Sequence, residues 1–61
     1  RTLQAWFRHN VQPLATSKAL FIHRNTLEYR LNRISELTGL DLGNFDDRLL
    51  LYVALHLDEQ R

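Results

Sequence analysis

Seven side chains that could contact nucleic acid lie close together in the middle of the sequence. Arginine can donate two hydrogen bonds to guanine and asparagine can pair with adenine in the major groove, and arginine and tyrosine also bind phosphate oxygens. The candidate residues are His23, Arg24, Asn25, Thr26, Tyr29, Arg30 and Arg33. We expect residues 23–26 to contact base edges and the other three, one helical turn further, to meet phosphates or flanking bases.

These residues also have simpler structural interpretations. Arg24 could be a solvated charge in a turn, and Arg33 could pair with Glu36 three positions further along a helix. Salt bridging competes with phosphate binding for Arg30 as well, and Tyr29 could pack against the protein. We favour a base or phosphate contact for Arg24 above all, because it lies where a helix would enter the groove.

The sequence contains no arrangement suited to catalysis or to cofactor binding. The three histidines, His9, His23 and His56, share no local metal-ligand spacing, and there is no cysteine. The two glycines do not form a loop that could cradle a phosphate. We therefore expect a protein that is not an enzyme, with no catalytic residue, no metal and no cofactor.

Charge is distributed unevenly along the chain, although the formal net charge is only +1. Residues 1–33 carry six arginines and lysines and one acidic residue, whereas residues 34–61 carry two arginines and six acidic residues. A polyanion should be attracted to the first half and repelled by the second. The acidic half is therefore expected to face away from DNA.

A helix over about residues 24–38 must position the candidate side chains. Four apolar residues recur at i, i+4, i+7 and i+10, a spacing that only a helix places on one face. They are Leu27, Leu31, Ile34 and Leu37. Asn25 with Glu28 resembles a capping box, although His23 could be the cap instead and still contact the groove. Gly39 is the residue type that ends a helix in a left-handed conformation.

Two shorter helices are predicted before this one. Thr2 is a candidate N-cap for the first, which should end near Asn10 and place its large aromatic residues in the core. Its apolar residues are Leu3, Trp6 and Phe7. Pro13 suits the first turn of the second helix. The predicted apolar side of that helix consists of Leu14, Ala15, Ala19 and Leu20.

A last helix is predicted from Asp46 to about Asp58, since acidic residues favour a helix N-terminus. Its apolar residues leave little polar face, so one core contact cannot bury all of them. The helix could be fully internal, or part of it could face a partner, and we favour the partner surface.

These elements predict an all-α fold of about four helices in one domain, residues 1–61. The second and third helices would form a helix-turn-helix, with the first and fourth packed behind it. The chain opens without a methionine, has no signal-peptide pattern and has no apolar run long enough to span a bilayer. We therefore expect a domain excised from a larger cytoplasmic, nucleoid-associated protein with no membrane contact.

The sequence also resembles a known family, the PucR-type C-terminal helix-turn-helix. The likeness is carried by residues 19–27, by Tyr29-Arg30-Leu31 and Arg33-Ile34, and it continues through residues 36–42 and 47–49. Among the family's members, the chain is most similar to those that control the use of sugar diacids. The resemblance implies a C-terminal DNA-binding module behind a sensor region for sugar diacids such as glucarate or galactarate, and activation of the genes for their uptake and breakdown.

A looser similarity links the chain to the helix-turn-helix of Fis-like nucleoid proteins, and it implies groove-facing roles for His23, Arg24 and Thr26. Phe21 departs from the pattern, because many such motifs have glycine at that position. The second helix opens with residues 12–15 instead of the serine and glutamate usual in the PucR type, which puts phosphate binding by that helix end in doubt.

The partner predicted from these features is double-stranded operator DNA. A module of this size with few cations should bind weakly alone, so we expect a homodimer or higher oligomer on paired half-sites. The alternative is a helical protein-interaction or oligomerisation module that uses the apolar face of residues 47–57. RNA binding is a weaker third option, because no aromatic stacking platform is apparent.

Overall fold

The computed structural model describes residues 1–59, which form four α-helices and no strand. The helices are α1 (Thr2–Arg8), α2 (Pro13–Leu20), α3 (Arg24–Thr38) and α4 (Phe45–Glu59). The predicted all-α fold is confirmed. The predicted domain extends to residues 60 and 61, which lie outside the described residues. No helix within the described range is both long and apolar enough to cross a membrane.

Helices α1, α2 and α3 pack on one another around a small core. Trp6 of α1 and Leu27 of α3 are its main apolar members, and the side chain of Leu27 is completely buried. The core contribution of α2 is polar, since Thr16 and Ser17 are its buried residues. Trp6 is buried as predicted, whereas Phe7 is only half-buried.

The apolar side predicted for α2 is wrong for three of its four residues, since only Leu20 is half-buried. Leu14 is 56% exposed, and both alanines are exposed as well. The buried hydroxyls of Thr16 and Ser17 donate to backbone carbonyls of Gln12 and Leu14, at 2.7 and 2.9 Å. Because these hydroxyls are satisfied locally, both small side chains can lie in the core without an unpaired donor, and neighbouring helices can approach closely.

The ends of α1 differ from the prediction. Arg1 holds the N-cap position and makes no side-chain capping bond, so Thr2 is a helical residue and not the cap. The helix ends at Arg8, before the predicted Asn10, because Asn10 and Val11 both adopt positive φ and reverse the chain. The N–H of Val11 donates to the carbonyl of Trp6 at 2.8 Å, which closes this reversal.

The stripe predicted on α3 is confirmed for Leu27, Leu31 and Ile34, which are buried or half-buried. Leu37, however, is 74% exposed. At about 100° per residue, ten residues fall about 80° short of three full turns, so Leu37 has rotated away from the core face. Gly39 ends α3 with φ 72° as predicted, and its N–H donates to the carbonyl of Ser35 at 2.9 Å.

Helix α4 is anchored mainly through its first turns. The carboxylate of Asp47 accepts from the N–H of Asp41 at 2.8 Å, and the Asn44 side chain accepts from the N–H of Asp47 at 3.1 Å. Arg48 donates to the carbonyl of Leu42, and its guanidinium lies 5.5 Å from the centroid of the Trp6 ring. These contacts tie α4 and the preceding loop to the core.

The rest of α4 leaves much apolar surface exposed, so the fully internal interpretation is wrong. Tyr52 meets Phe7 of α1 edge to face, with ring centroids 5.4 Å apart. The exposed apolar residues of the helix are Phe45, Leu49, Leu50, Tyr52, Val53 and Leu57.

Candidate nucleic-acid interface

Helices α2 and α3 are joined by a turn of three residues, which is the helix-turn-helix arrangement. Phe21 ends α2 in the left-handed conformation, with φ 56° and ψ 43°. The N–H of Phe21 donates to the carbonyl of Lys18 at 3.2 Å, and the N–H of Ile22 donates to the carbonyl of Ser17 at 3.0 Å. These bonds satisfy the last carbonyls of α2 and fix the direction in which α3 departs.

His23 is the N-cap of α3. Its backbone is extended, and its Nδ1 accepts a hydrogen bond from the N–H of Asn25 at 3.0 Å. Of the two candidate caps, His23 is therefore confirmed and the capping box of Asn25 and Glu28 is excluded, because Asn25 lies inside the helix. A neutral imidazole that accepts at Nδ1 carries its proton on Nε2. His23 can thus cap the helix and still donate from Nε2 to an acceptor outside the protein.

All seven predicted site residues are exposed, four of them in the cap and first turn of α3 and the other three further along the helix. His23 to Thr26 form the cap and first turn. Asn25, Tyr29 and Arg33 follow one another at intervals of four residues, so they share the face opposite the Leu27 stripe. The structure leaves this face unpacked, and Tyr29 projects from it instead of joining the core.

Arg24 and Arg30 flank this outer face. At about 100° per residue, Arg24 lies about 60° to one side of Leu27 and Arg30 about 60° to the other. Neither guanidinium has a carboxylate partner among the described residues. Both positive charges are therefore available to an external anion.

Arg33 differs from the other two arginines. Its guanidinium lies 3.2 Å from the carboxylate of Glu36, and both side chains are largely exposed. This ion pair matches the competing interpretation from the sequence. An exposed pair contributes about 0–1 kcal/mol, so exchange of Glu36 for a phosphate would cost little.

Sequence reasoning left Phe21 out of the site, although it adjoins the first turn of α3. The side chain is 94% exposed, and no other large apolar residue is so exposed in the described part of the chain. The available signal was its place in the turn, where many helix-turn-helix motifs have glycine. Propensity alone does not predict an exposed aromatic residue at positive φ.

The described residues contain no group of three or more histidine, aspartate and glutamate side chains that could hold a metal ion. They also leave no buried side-chain nitrogen or oxygen without a hydrogen-bond partner. The exposed residues of α3 supply hydrogen-bonding groups and positive charge, which suit recognition of an anionic polymer.

Comparisons with known proteins agree with this arrangement. The model of the PucR C-terminal helix-turn-helix domain matches residues 1–57. The chain is 95% identical over 61 residues to the carbohydrate diacid regulator of Escherichia coli strain K12. The alignment covers 100% of this chain and 16% of that regulator.

Two further relatives come from Bacillus subtilis strain 168. The chain is 38% identical over 61 residues to the proline-responsive transcriptional activator PutR, covering 100% of this chain and 15% of the relative. It is 38% identical over 56 residues to the DNA-binding transcriptional activator AdeR, covering 92% of this chain and 13% of the relative. No solved structure matches the chain. Since the family model covers nearly all of the four-helix domain, the chain belongs to the PucR C-terminal helix-turn-helix family of transcription regulators.

Proposed function

We propose that this domain binds double-stranded DNA sequence-specifically, with α3 in the major groove. The observation that carries the proposal is the first turn of α3, where Arg24 is exposed, has no carboxylate partner among the described residues and follows a capping histidine. In this arrangement residues 23–26 contact base edges, while Tyr29, Arg30 and Arg33 bind phosphates or flanking bases.

The charge pattern supports one orientation of the domain on DNA. Glu28 lies about 100° from Leu27 around α3, on the side opposite Arg30, and it borders a recess that also includes Asp41. Arg30 and Arg33 lie on the other edge. Arg24 lies one turn before Glu28 on the same edge, so the charge difference favours phosphate contact along the edge of Arg30 and Arg33, with the acidic loop before α4 facing away from the phosphates.

The relatives support a proposal for the regulated genes. The 95% identity to a carbohydrate diacid regulator supports control of genes for the use of sugar diacids such as glucarate or galactarate. The two Bacillus relatives named as activators support activation. The domain would act as the C-terminal module of a longer regulator, in the cytoplasm with the nucleoid, as a homodimer or higher oligomer on paired half-sites.

The test begins with duplexes selected from random DNA for binding to the protein. Arg24→Ala should weaken binding to them by about 1–3 kcal/mol, the discrimination that one bidentate base contact contributes, without changing the circular dichroism spectrum. Arg8→Ala is the matched control, since it removes the same charge from α1. Equal losses from the two variants, or no loss from Arg24→Ala, would contradict base recognition by Arg24.

A salt titration tests the phosphate contacts. Arg33→Ala should lower the slope of log affinity against log salt concentration by about one. An unchanged slope would mean that Arg33 stays with Glu36 in the complex.

The second candidate function is a protein-interaction surface on α4, favoured by the exposure of Leu49, Leu50, Val53 and Leu57. Nuclear magnetic resonance separates the two candidates in one titration with duplex DNA. Shift changes on residues 23–33 support DNA binding, whereas an unchanged spectrum with DNA and changes on residues 47–57 with increasing protein concentration favour the interaction surface. Tighter binding to RNA of the same sequence would support the third option.

A further inference from the structure

Phe21 combines two properties that do not help the domain to fold. Its side chain is 94% exposed, so the ring packs against almost nothing in the protein. Its φ of 56° lies in the left-handed region, which side chains with a Cβ adopt at a cost. Phe21 therefore adds backbone strain to the folded state, and burial of its ring does not offset that strain.

Gly39 ends another helix of the same chain in the left-handed conformation without strain. It ends α3 as Phe21 ends α2, with φ 72°, and no atom lies within 4 Å of the position that a Cβ would take. A glycine therefore suffices to end a helix in this fold. Strain held at a specific position is a reason to look for a function there, and the feature that distinguishes Phe21 is its ring.

The position of Phe21 indicates what the ring meets. Arg24 follows Phe21 by three positions in the chain, so their Cα atoms are at most about 11 Å apart. The major groove of DNA is about 12 Å wide. When the first turn of α3 contacts base edges, the turn that carries Phe21 lies within one groove width of them.

We propose that Phe21 contacts the 5-methyl group of a thymine at the edge of the site that α3 reads. The inference rests on the proposed DNA binding and adds a sequence preference to it. The ring has no hydrogen-bonding atom, and the thymine methyl is the apolar group that base pairs display in the major groove. Phe21 therefore selects thymine by apolar contact, beside the polar contacts of residues 23–26.

The experiment is a double-mutant cycle between the ring and the methyl group. Thymines in a selected duplex are replaced one at a time by uracil, which removes only the methyl, and each duplex is bound to the wild type and to Phe21→Ala. Alanine keeps a Cβ at the same φ, so the variant removes the ring and keeps the backbone strain.

The expected result is one thymine at which uracil weakens wild-type binding about three- to fivefold, the size expected for losing contact with one methyl group. Phe21→Ala should bind that thymine duplex with a similar loss and should not distinguish it from its uracil form. Additive losses at every thymine, or unchanged affinity for Phe21→Ala, would overturn the inference.

A parallel measurement separates this inference from the proposed function. If Arg24→Ala loses affinity while Phe21→Ala does not, DNA binding stands and the role of Phe21 is wrong. If the wild type binds no duplex, both proposals fail. A loss with Phe21→Ala that is not coupled to any methyl would point to a sugar or protein contact, and it would also overturn the thymine assignment.

Discussion

Leu27→Ala tests whether the domain depends on the small core beneath α3. The side chain has 0% exposure, and truncation of a buried leucine to alanine costs about 2–5 kcal/mol, including the cavity left behind. A domain of 61 residues has a total free energy of unfolding of roughly 3–9 kcal/mol. The variant should therefore lose a large share of its stability and be partly unfolded at 37 °C.

Leu37→Ala is the matched control, because it makes the same change in the same helix at a residue that is 74% exposed. Alanine is the best helix former, so this variant should change stability by less than about 0.5 kcal/mol. Urea unfolding can be followed by circular dichroism and by the fluorescence of Trp6, the sole tryptophan. Equal destabilisation by the two variants would refute the rotation of Leu37 away from the core.

Three further predictions concern the turns and the recognition helix. Phe21→Gly should raise the free energy of unfolding by about 0.5–1 kcal/mol, because the relief of left-handed strain exceeds the cost of the greater entropy that glycine gives the unfolded chain. An unchanged melting temperature would mean that the strain is absent. Gly39→Ala should cost about 1 kcal/mol, since φ is 72° while space for a Cβ exists; an unchanged melting temperature would contradict this. Glu36→Gln should tighten duplex binding up to about fivefold by releasing Arg33 from a pair that contributes up to about 1 kcal/mol, and weaker binding in a mobility-shift assay would oppose it.

The sequence predicted the recognition helix well because its signals are local and agree with one another. The apolar repeat from Leu27 to Ile34 shows in the spacing of neighbouring residues which face of the helix packs on the core, and the caps at His23 and Gly39 depend on hydrogen bonds within a few residues. Helix geometry already places Leu37 about 80° from Leu27, whereas the degree of burial that this angle permits depends on how far the core extends beneath α3. The sequence does not choose between His23 and a capping box as the cap, because both use residues at the same end of the helix.

The buried side of α2 was not predictable from apolar residue types. Pattern reasoning assigned the core side to Leu14 and the alanines, whereas the structure buries Thr16 and Ser17. Their hydroxyls are satisfied by carbonyls of their own helix, which makes two polar residues compatible with close helix packing. That outcome follows from the tertiary arrangement and from side-chain size.

The positive φ values of Asn10, Val11 and Phe21 were also outside what the sequence can predict. Asparagine adopts this conformation fairly readily, but valine and phenylalanine do so at a cost. At these positions the closing hydrogen bonds and the packing of the flanking helices determine the backbone. Tertiary structure therefore overrides local preference at both reversals that precede α3.

Two variants of Phe21 allow the effect on stability and the effect on DNA affinity to be measured separately. Phe21→Gly removes both the strain and the ring, so stability should rise while affinity for the thymine-containing duplex falls. Phe21→Ala removes the ring alone, so affinity should fall at nearly constant stability. If affinity instead followed stability across the two variants, the ring would have no contact of its own, and its exposure would be without consequence for DNA binding.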